Sequence, residues 1–510
     1  MPDVTVAIVG SGFAGIGMAA SLQRAGITDI VLLERAADLG GTWRDNSYPG
    51  AACDVPSHLY SFSFAPNPGW TRSFSPQPEI WDYLRRVADQ AGITGKIRFG
   101  AEVNSARWDA DGRLWRVETT AGMLTARFLV SATGPLSDPL IPDIPGLATF
   151  TGAVFHSATW DHDHDLAGRN VAVIGTGASA IQFVPRVQPL AGRLTVFQRT
   201  PAWIMPRRDR QISRLERWLF RHVPATQRAA RAAIYCWRET YALGFVKYPA
   251  IMRAAQAAVL RQLRRQVTDP DLRARLTPSY LMGCKRILLS NDYYPALAQP
   301  NVSLVTGAIK EIRADSVLAS DGTAHHVDTL IFGTGFHVTD FPFAHRVFGT
   351  DGVSLASRWS AQPAQTEPGQ TEPGQTAFRG TTTAGFPNLF TLTGPNTGLG
   401  HNSQVFMIEA QVRYVSGALA HARRHGVDRI EVRQAAQAAY DRTVQRKMRK
   451  TVWLTGGCKS WYLDADGRNI ALWPDFTWVY AWQTRRFDPA SYDLARARTG
   501  AAYPAGSPAR

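Results

Sequence analysis

The chain has 510 residues, of which 45% are hydrophobic and 19% are charged. This composition is typical of a globular protein with two or three domains, and it excludes a largely disordered chain. The formal net charge of +15 is compatible with nucleic-acid or membrane contact. No nucleic-acid-binding motif accompanies that charge, so anionic small ligands and solubility explain it more economically. We therefore expect no nucleic-acid partner.

Membrane, disulfide and metal signals are missing from the sequence. The apolar run Val4–Val9 leads straight into a glycine-rich turn, which is typical of a buried strand and not of a signal peptide. No run of about 18 apolar residues predicts a transmembrane helix. The four cysteines are widely separated, without C-x-x-C or Cys/His ligand spacing: Cys53, Cys236, Cys284 and Cys458. They predict neither a disulfide framework nor a zinc site, and they fit a protein of the reducing cytoplasm.

The first motif is a dinucleotide-binding turn. Val4–Val9 predicts a buried parallel strand, and helical character follows at 16–25. The turn between them contains Gly10, Gly12 and Gly15. This spacing lets the backbone and a helix N-terminus approach a pyrophosphate. The next strand, 29–33, ends in Glu34, whose carboxylate can accept ribose hydroxyls and would repel a 2′-phosphate, so the turn predicts FAD or NAD and not NADP.

The segment after Glu34 is rich in aromatic and turn residues. Its members include Gly41, Thr42, Trp43, Tyr48, Asp54 and Tyr60. A plain surface loop would not need so much apolar area, so we expect this loop to wrap a flat aromatic ring system. Three β-rich runs follow at 101–108, 115–119 and 128–133.

A second nucleotide-binding turn follows the strand Asn170–Ile174. Its residues are Gly175, Thr176, Gly177, Ala178, Ser179 and Ala180, and a helix is predicted at 181–187. Ala180 stands where the pattern tolerates alanine in place of the third glycine. The next strand, 194–197, is followed by Arg199 and Thr200, where the first unit has an acid. Arginine favours a 2′-phosphate, so this turn predicts NADP(H).

Two stretches of the second half leave alternatives open. Residues 207–275 have a helical, arginine-rich pattern, which indicates either a helical insertion, the reading we favour, or a basic surface touching a membrane. Lys285 and Arg286 are adjacent cations that are either a solvated pair or a site for phosphate and an oxyanion. A Gln-Thr-Glu-Pro-Gly repeat at 365–374 predicts an exposed flexible loop.

The remaining patterns complete an α/β fold. Strands are predicted from Asp328 and from Asn388, and a helix at 404–421, whereas the tryptophan-rich tail predicts loops and short strands. We expect two Rossmann-like domains. They are an FAD-binding domain at 1–148, continued by residues 334–510 with the C-terminal loops, and an NADP-binding domain at 149–333 with the helical insertion at about 207–275.

The chain resembles the type I Baeyer–Villiger monooxygenases from about residue 4 to about residue 490. That family's diagnostic string is F-x-G-x-x-x-H-x-x-x-W-[PD], and it is matched here by Phe150, Gly152, His156, Trp160 and Asp161. Two nucleotide-binding turns flank the string in the family as well. Further similar segments are Gly41-Thr42-Trp43, Tyr48-Pro49-Gly50, Cys53-Asp54, Lys285-Arg286 and Thr334-Gly335-Phe336. Gly333 departs from the family's usual alanine, and the repeat at 365–374 looks like an insertion.

The resemblance implies an enzyme that uses FAD, NADPH and O2 to insert one oxygen beside a ketone carbonyl, by way of a flavin C4a-peroxide, giving an ester or lactone. Arg286 would stabilise negative charge on the reacting oxygen, and Asp54 would hold its guanidinium. Arg199, Thr200 and Lys285 would bind the 2′-phosphate. Trp461 would close over the nucleotide, and His156, on the linker between the domains, would couple NADP binding to the flavin site.

The residues expected to contact the cofactors are Gly10, Gly12, Gly15, Glu34, Gly41, Thr42, Trp43, Asp54, Tyr60, Val103, Gln404, Gly175, Thr176, Gly177, Ser179, Ala180, Arg199, Thr200, Lys285, Arg286 and Trp461. An N- or S-oxygenating flavin monooxygenase is the alternative function, because it shares both turns. It would not be expected to have the complete string or to need Arg286. A flavoprotein reductase or a structural nucleotide-binding protein is a third possibility, but a reductase would normally have a C-x-x-C pair.

Overall fold

The computed structural model describes residues 2–360 and 374–496. In chain order its strands are β1 (Val4–Val9), β2 (Ile30–Leu33), β3 (Ile97–Arg98), β4 (Val103–Asp109), β5 (Leu114–Thr119), β6 (Gly122–Ser131), β7 (Ala153–His156), β8 (Asn170–Ile174), β9 (Arg193–Phe197), β10 (Ile204–Met205), β11 (Leu288–Leu289), β12 (Val302–Val305), β13 (Ile309–Ile312), β14 (Ser316–Ala319), β15 (Ala324–His326), β16 (Thr329–Phe332), β17 (Val347–Phe348), β18 (Leu389–Thr391), β19 (Val427–Val432) and β20 (Tyr492–Arg496).

Its α-helices are α1 (Phe13–Arg24), α2 (Thr42–Asp45), α3 (Gln77–Gln90), α4 (Ala180–Val187), α5 (Arg214–His222), α6 (Pro224–Glu239), α7 (Ile251–Gln266), α8 (Pro270–Arg275), α9 (Tyr293–Leu297), α10 (Leu355–Ser360), α11 (Gln404–His425), α12 (Gln434–Met448), α13 (Val452–Thr455) and α14 (Thr477–Gln483).

The first sheet has the strand order β17-β4-β5-β6-β1-β2-β3, with β18 beside β6. β1 runs parallel to both of its neighbours. Its side chains alternate between two cores: Val6 and Ile8 face a core shared with α1, α3 and α11, whereas Ala7 and Val9 face a core shared with α10. Burial on both faces explains why the strand is apolar throughout.

The second sheet is parallel throughout, in the order β12-β9-β8-β16-β7. Val171 and Val173 of β8 face a core shared with α4 and α9. The α/β class and the two Rossmann-type units predicted from the sequence are confirmed. The carboxyl ends of β1 and β8 each open into a glycine turn followed by a helix, which positions the site described below.

The stretch predicted to be helical contains α5 to α8, placed between β10 and β11, which pair with each other. Glu239 at the end of α6 is buried, and it accepts hydrogen bonds from the Thr477 hydroxyl at 2.7 Å and from the Thr477 backbone N–H at 3.0 Å. This contact anchors the helical stretch to the C-terminal segment. Within residues 2–360 and 374–496, no helix is long and apolar enough to cross a membrane.

The C-terminal part differs from its prediction. The helix predicted at 404–421 is present as α11, but Trp478 and Trp482, predicted to lie in loops or short strands, belong to the helix α14. Both tryptophans are exposed on one side of that helix, so they do not mark a strand core. The repeat at 365–374 lies, apart from Gly374, outside the described residues.

The prediction of unpaired cysteines is wrong for one pair. Cys284 and Cys458 form a disulfide, with their Cα atoms 6.1 Å apart and a sequence separation of 174. No local spacing could indicate this pair, because the fold alone brings the two segments together. Cys53 and Cys236 are free thiols.

Candidate active site

One cavity of about 1150 Å³ is lined by both glycine turns. Its wall includes these residues singled out from the sequence: Gly10, Gly12, Glu34, Gly41, Thr42, Trp43, Asp54, Tyr60, Val103, Gln404, Gly175, Thr176, Gly177, Ser179, Arg199, Thr200, Lys285, Arg286 and Trp461. Gly15 and Ala180 do not line it. The fold therefore brings together side chains separated by more than four hundred positions, from Gly10 to Trp461.

The glycines of the first turn have two different tasks. Gly10 has a φ of +101°, and a Cβ there would lie 2.8 Å from the carbonyl oxygen of Ala132. A Cβ on Gly15 would lie 1.9 Å from the carbonyl oxygen of Gly10, so this glycine lets α1 pack beneath the turn. A Cβ on Gly12 would meet no atom closer than 3.7 Å, and this glycine lines the cavity. Gly10 and Gly15 therefore hold the turn, whereas Gly12 leaves the approach to the backbone open.

Glu34 is buried at the end of β2, and both of its carboxylate oxygens have partners. Its Oε2 accepts hydrogen bonds from the Ser11 backbone N–H at 3.0 Å and from the Ser11 hydroxyl at 2.6 Å. Its Oε1 accepts from the Ala36 N–H at 3.0 Å and from Nη1 of Arg44 at 2.9 Å. A carboxylate held in this way is fixed in place and presents acceptors at the cavity wall.

The second turn repeats this construction. Gly175 has a φ of +107°, and a Cβ there would lie 2.5 Å from the carbonyl oxygen of Gly333. A Cβ on Gly333 would lie 3.2 Å from the Cβ of Ala180, which is fully buried where α4 meets the sheet. A Cβ on Gly177 would meet no atom closer than 3.7 Å. Ala180 thus packs the helix against the sheet, as Gly15 does in the first turn.

Three residues with affinity for anions converge beside the second turn. Arg199 is exposed just after β9, Thr200 follows it, and Lys285 approaches from the segment before β11. Burial, and then the positive charge of Arg199, lower the pKa of Lys285 below its ordinary value. Two cations that disfavour each other in this way create a place where an anionic group is stabilised.

Asp54 and Arg286 form an ion pair on the cavity wall. The Asp54 Oδ2 accepts hydrogen bonds from Nη2 of Arg286 at 2.6 Å and from its Nε at 3.2 Å. The negative charge of Asp54 raises the pKa of Arg286 above its ordinary value. Burial alone would raise the pKa of Asp54, but the charge and hydrogen bond of Arg286 hold it below its usual value. The pair is therefore ionised at neutral pH.

Aromatic side chains complete the wall. The Trp43 indole N–H donates to the Tyr60 hydroxyl at 3.0 Å, and the two rings are nearly perpendicular. Trp461 lines the cavity and is 45% exposed. Gln404 at the start of α11 donates to the Thr397 carbonyl oxygen at 3.2 Å. Trp43, Tyr60 and Trp461 give parts of the cavity wall flat apolar surfaces, as expected of a site for a ring system.

The string from Phe150 to Asp161 does not line the cavity. His156 ends β7, the edge strand of the second sheet; it is 1% exposed, and its Nδ1 accepts from the Ala158 N–H at 3.1 Å. Burial lowers the pKa of His156 to about 4. A Cβ on Gly152 would lie 2.1 Å from the Asp328 carbonyl oxygen. The string is thus an edge strand with its following turn.

The remaining members of the string are packing and turn residues. Phe150 packs against a hydrophobic core that includes Leu330 and Phe332 of β16. Trp160 packs on Phe183 of α4, with the ring centroids 5.3 Å apart. The Asp161 carboxylate accepts hydrogen bonds from the backbone N–H groups of Asp163 at 3.0 Å and His164 at 3.2 Å.

Three residues that the sequence reasoning missed support the ion pair of Asp54 and Arg286. Arg207 donates from Nη2 to the carbonyl oxygen of Cys53 at 3.2 Å, which fixes the backbone just before Asp54. Gln182 of α4 accepts from the Tyr48 hydroxyl at 3.0 Å and donates to the Ala52 carbonyl oxygen at 3.0 Å. The positive charge of Arg238, in α6, lowers the pKa of Asp54 in addition to the effect of Arg286. No spacing pattern in the sequence signals these long-range contacts.

Comparison with known proteins agrees with this geometry. A family model described as pyridine nucleotide-disulphide oxidoreductase matches residues 7–223. A Baeyer-Villiger monooxygenase of Streptomyces coelicolor is 53% identical, over 97% of this chain and 93% of its own. Another Baeyer-Villiger monooxygenase, from Pseudomonas aeruginosa, is 48% identical, over 96% of this chain and 91% of its own.

Solved structures have the same fold. The structure of cyclohexanone monooxygenase from Rhodococcus sp. Phi1 bound to NADP+ superimposes with a TM-score of 0.84 at 28% identity, covering 98% of this chain and all of that one. The structure of OTEMO in complex with FAD and NADP has a TM-score of 0.84 at 25% identity, covering 97% of this chain and all of that one. With close relatives along nearly its whole length, the chain belongs to the Baeyer–Villiger monooxygenases.

Proposed function

We propose that this chain binds FAD at the first glycine turn and NADPH at the second, and uses O2 to insert one oxygen atom beside a ketone carbonyl. The observation that carries this proposal is the ion pair of Asp54 and Arg286, which lies in a single cavity lined by both turns. When bound, the flavin would pass electrons from NADPH to O2 and supply the reactive oxygen. The product would be an ester or a lactone.

The residues present fit the two dinucleotides. A Cβ on Gly12 or Gly177 would meet nothing closer than 3.7 Å, so each turn offers open backbone to a pyrophosphate, and α1 or α4 begins beside it. We assign the flavin to the first turn because Trp43 and Tyr60 provide flat apolar surface there. Glu34 repels a 2′-phosphate at this turn, which disfavours NADP.

The second turn takes NADPH through its cations. Arg199 and Lys285 bind the 2′-phosphate, and the Thr200 hydroxyl donates to it. Because Lys285 is already held beside Arg199 at a like-charge cost, a bound phosphate relieves that repulsion. NADH lacks this group and leaves the repulsion in place. The residues at this turn therefore discriminate between the two nicotinamide cofactors.

Arg286 acts on the ketone. Negative charge develops on the carbonyl oxygen as a nucleophile adds to the carbonyl carbon, and a guanidinium aimed at that oxygen stabilises it. Asp54 fixes the guanidinium through two hydrogen bonds to one oxygen, which leaves other Arg286 N–H groups available to the substrate. Arg207 holds the backbone beside Asp54 in turn, and so supports this orientation.

Two further residues would exclude water from the site and couple the two cofactor-binding turns. Trp461 would cover bound NADP(H) and keep water from the reacting oxygen. His156 is neutral at pH 7 because its pKa is about 4, so it is not a proton donor there. It positions the turn after β7 and links occupancy of the second turn to the flavin site.

The proposal also includes the domain division. Residues 1–148 and 334–510 form the FAD-binding domain, and residues 149–333 form the NADP-binding domain.

The test is mass spectrometry of a panel of ketones incubated with the protein, FAD, NADPH and 18O2. We expect a yellow protein that forms esters or lactones carrying one labelled oxygen. Amine and sulfide substrates belong in the same panel. Labelled N-oxides or sulfoxides without any ester would show instead an N- or S-oxygenating monooxygenase, and NADPH oxidation without any labelled product would indicate a reductase.

A further inference from the structure

The disulfide joins the two segments on which the cavity's most reactive side chains lie. Cys284 is directly followed by Lys285 and Arg286, and Cys458 lies just before Trp461. We propose that the bond between Cys284 and Cys458 is a redox-sensitive tie that holds the segment 457–461 over the nucleotide, so that a thiol reductant loosens NADP(H) binding. The effect on NADP(H) rests on the proposed function; the tie itself does not.

One end of the tie is firmly anchored. Cys284 is fully buried in a core that includes Phe245, Val452 and Trp453. A Cβ on Gly456 would lie 2.6 Å from the Cβ of Cys284, so the backbone before Cys458 passes directly against it. The anchored cysteine therefore fixes where the other end of the bond can lie.

The other end is held by few hydrogen bonds. The Leu281 N–H donates to the carbonyl oxygen of Gly456 at 2.9 Å. Beyond that point, the hydrogen bonds of residues 457–461 within the described structure stay inside 458–463. The disulfide is thus the covalent connection between the segment that carries Trp461 and the segment that carries Arg286, and Tyr462, next to Trp461, is buried in the same core as Cys284.

The bond is also placed where a reductant reaches it. Cys458 is half-buried, and its neighbours Gly457 and Lys459 are exposed. A thiolate of a dithiol attacks the sulfur of Cys458, the bond between the two sulfurs breaks, and the Cys284 thiolate leaves and takes up a proton. The second thiol of the reductant then closes on the mixed disulfide and releases the Cys458 thiol. The protein gains two electrons and two protons, and the dithiol becomes a disulfide.

Reduction changes the site through position and not through charge. Both thiols are neutral once protonated, so the field at Lys285 and Arg286 is unchanged. What is lost is the restraint on Trp461, and with it the cover over the nucleotide. We expect the reduced protein to bind NADP+ at least about five-fold more weakly, the lower end of the coupling usually found between two sites, and to release more hydrogen peroxide per NADPH oxidised.

The experiment compares the holoprotein before and after treatment with dithiothreitol. Thiol titration in guanidinium should count two thiols in protein purified without reductant and four after treatment. Tryptic cleavage after the exposed Lys459 should become faster on reduction, and NADP+ titrations should show the weaker binding. Cys458→Ser should bind NADP+ as weakly as the reduced protein, with no change on adding the reductant. Cys236→Ser, which removes an exposed free thiol, should lose NADP+ affinity on reduction as the unaltered chain does.

Different results overturn different claims. Four thiols without reductant, or an unchanged rate of tryptic cleavage after Lys459 on reduction, would overturn the tie. Faster cleavage with equal NADP+ affinity in both redox states would overturn its effect on the nucleotide. If NADP+ binds in neither state, the proposed function fails, and the thiol count with the cleavage rates still decides whether the tie exists.

Discussion

The charged side chains singled out at the two turns differ in sign. Glu34 lies at the first turn with four hydrogen-bond donors around it, whereas Arg199 and Lys285 lie at the second turn near each other. Also on the cavity wall, Asp54 and Arg286 form an ion pair at 2.6 Å. Under the proposed function, the acid suits a free ribose, the cations suit a phosphate, and the fixed guanidinium suits an oxygen atom on which negative charge develops.

Arg199 should set the choice of nicotinamide cofactor. Arg199→Gln removes a charge-assisted hydrogen bond to the 2′-phosphate, worth about 1.5–3 kcal/mol, so the ratio of kcat/KM for NADPH to that for NADH should fall about 10- to 100-fold. Steady-state kinetics with both cofactors measure the ratio. Arg193→Gln, at the opposite end of β9, is the control and should leave it unchanged. An unaltered preference in Arg199→Gln would place the phosphate elsewhere.

His156 should make stability depend on pH. Its pKa is about 4 in the folded chain and 6.5 in the unfolded chain, so the unfolded state binds the additional proton between these values. The stabilisation is complete above pH 6.5 and is lost as pH falls towards 4. From pH 7.5 to 5.5 this one group should cost about 1.3 kcal/mol of unfolding free energy.

His156→Asn separates this group from the others, because an amide oxygen can accept the Ala158 N–H in its place. Urea unfolding at the two pH values should show a smaller loss in the variant than in the unaltered chain. His58, whose pKa burial also lowers to about 4, remains in both proteins and cancels in the comparison. Equal losses would mean that His156 is not buried as a neutral group.

At the scale of single elements, the two strand–turn–helix units were predictable because their determinants are local. The spacing of Gly10, Gly12 and Gly15 and the residue that ends the next strand lie within one short stretch. The support from Gln182 and Arg207 was not predictable, because each contacts backbone more than 100 positions away. The same holds for Cys284 and Cys458. α14 was missed because its exposed Trp478 and Trp482 hide the amphipathic pattern on which helix prediction depends.

Gly177 should be required for nucleotide binding and not for folding. In Gly177→Val, the new side chain enters the cavity, where the nearest neighbour of its Cβ is 3.7 Å away. We expect NADP+ affinity to fall by at least about 10-fold, because the pyrophosphate loses its approach to the backbone, while Tm and FAD content stay the same. Calorimetric titration with NADP+ and a thermal scan measure these quantities.

Gly15→Ala is the matched contrast in the other unit. Its Cβ would lie 1.9 Å from a backbone oxygen, so this variant should lose thermal stability and flavin together. A stable Gly15→Ala protein, or a Gly177→Val protein with normal NADP+ affinity, would contradict the division of tasks between the glycines.

At the scale of the whole molecule, three segments distant in sequence are fastened around one cavity. α6 is anchored to the C-terminal part through Glu239 and Thr477, and Cys284 is bonded to Cys458. A bond that closes so long a loop restricts the unfolded chain. We expect dithiothreitol to reduce the unfolding free energy by about 2–4 kcal/mol and to lower Tm by several degrees.

Thermal scans with and without the reductant measure this effect. Cys458→Ser should have the lower Tm under both conditions, and Cys236→Ser should follow the unaltered chain. A Tm that the reductant does not change would show that the bond contributes nothing to the stability of the fold.

The ion pair of Asp54 and Arg286 is central to the proposed chemistry, and the yield of ester per NADPH oxidised in Arg286→Met tests it most directly. We predict that this variant keeps its flavin and still oxidises NADPH, releasing hydrogen peroxide, while ester formation falls by at least about 100-fold. Arg286→Lys, which keeps the charge but loses the two-pronged contact with Asp54, should retain a small part of the yield. Ester formation at the unaltered rate in Arg286→Met would contradict the role assigned to the guanidinium.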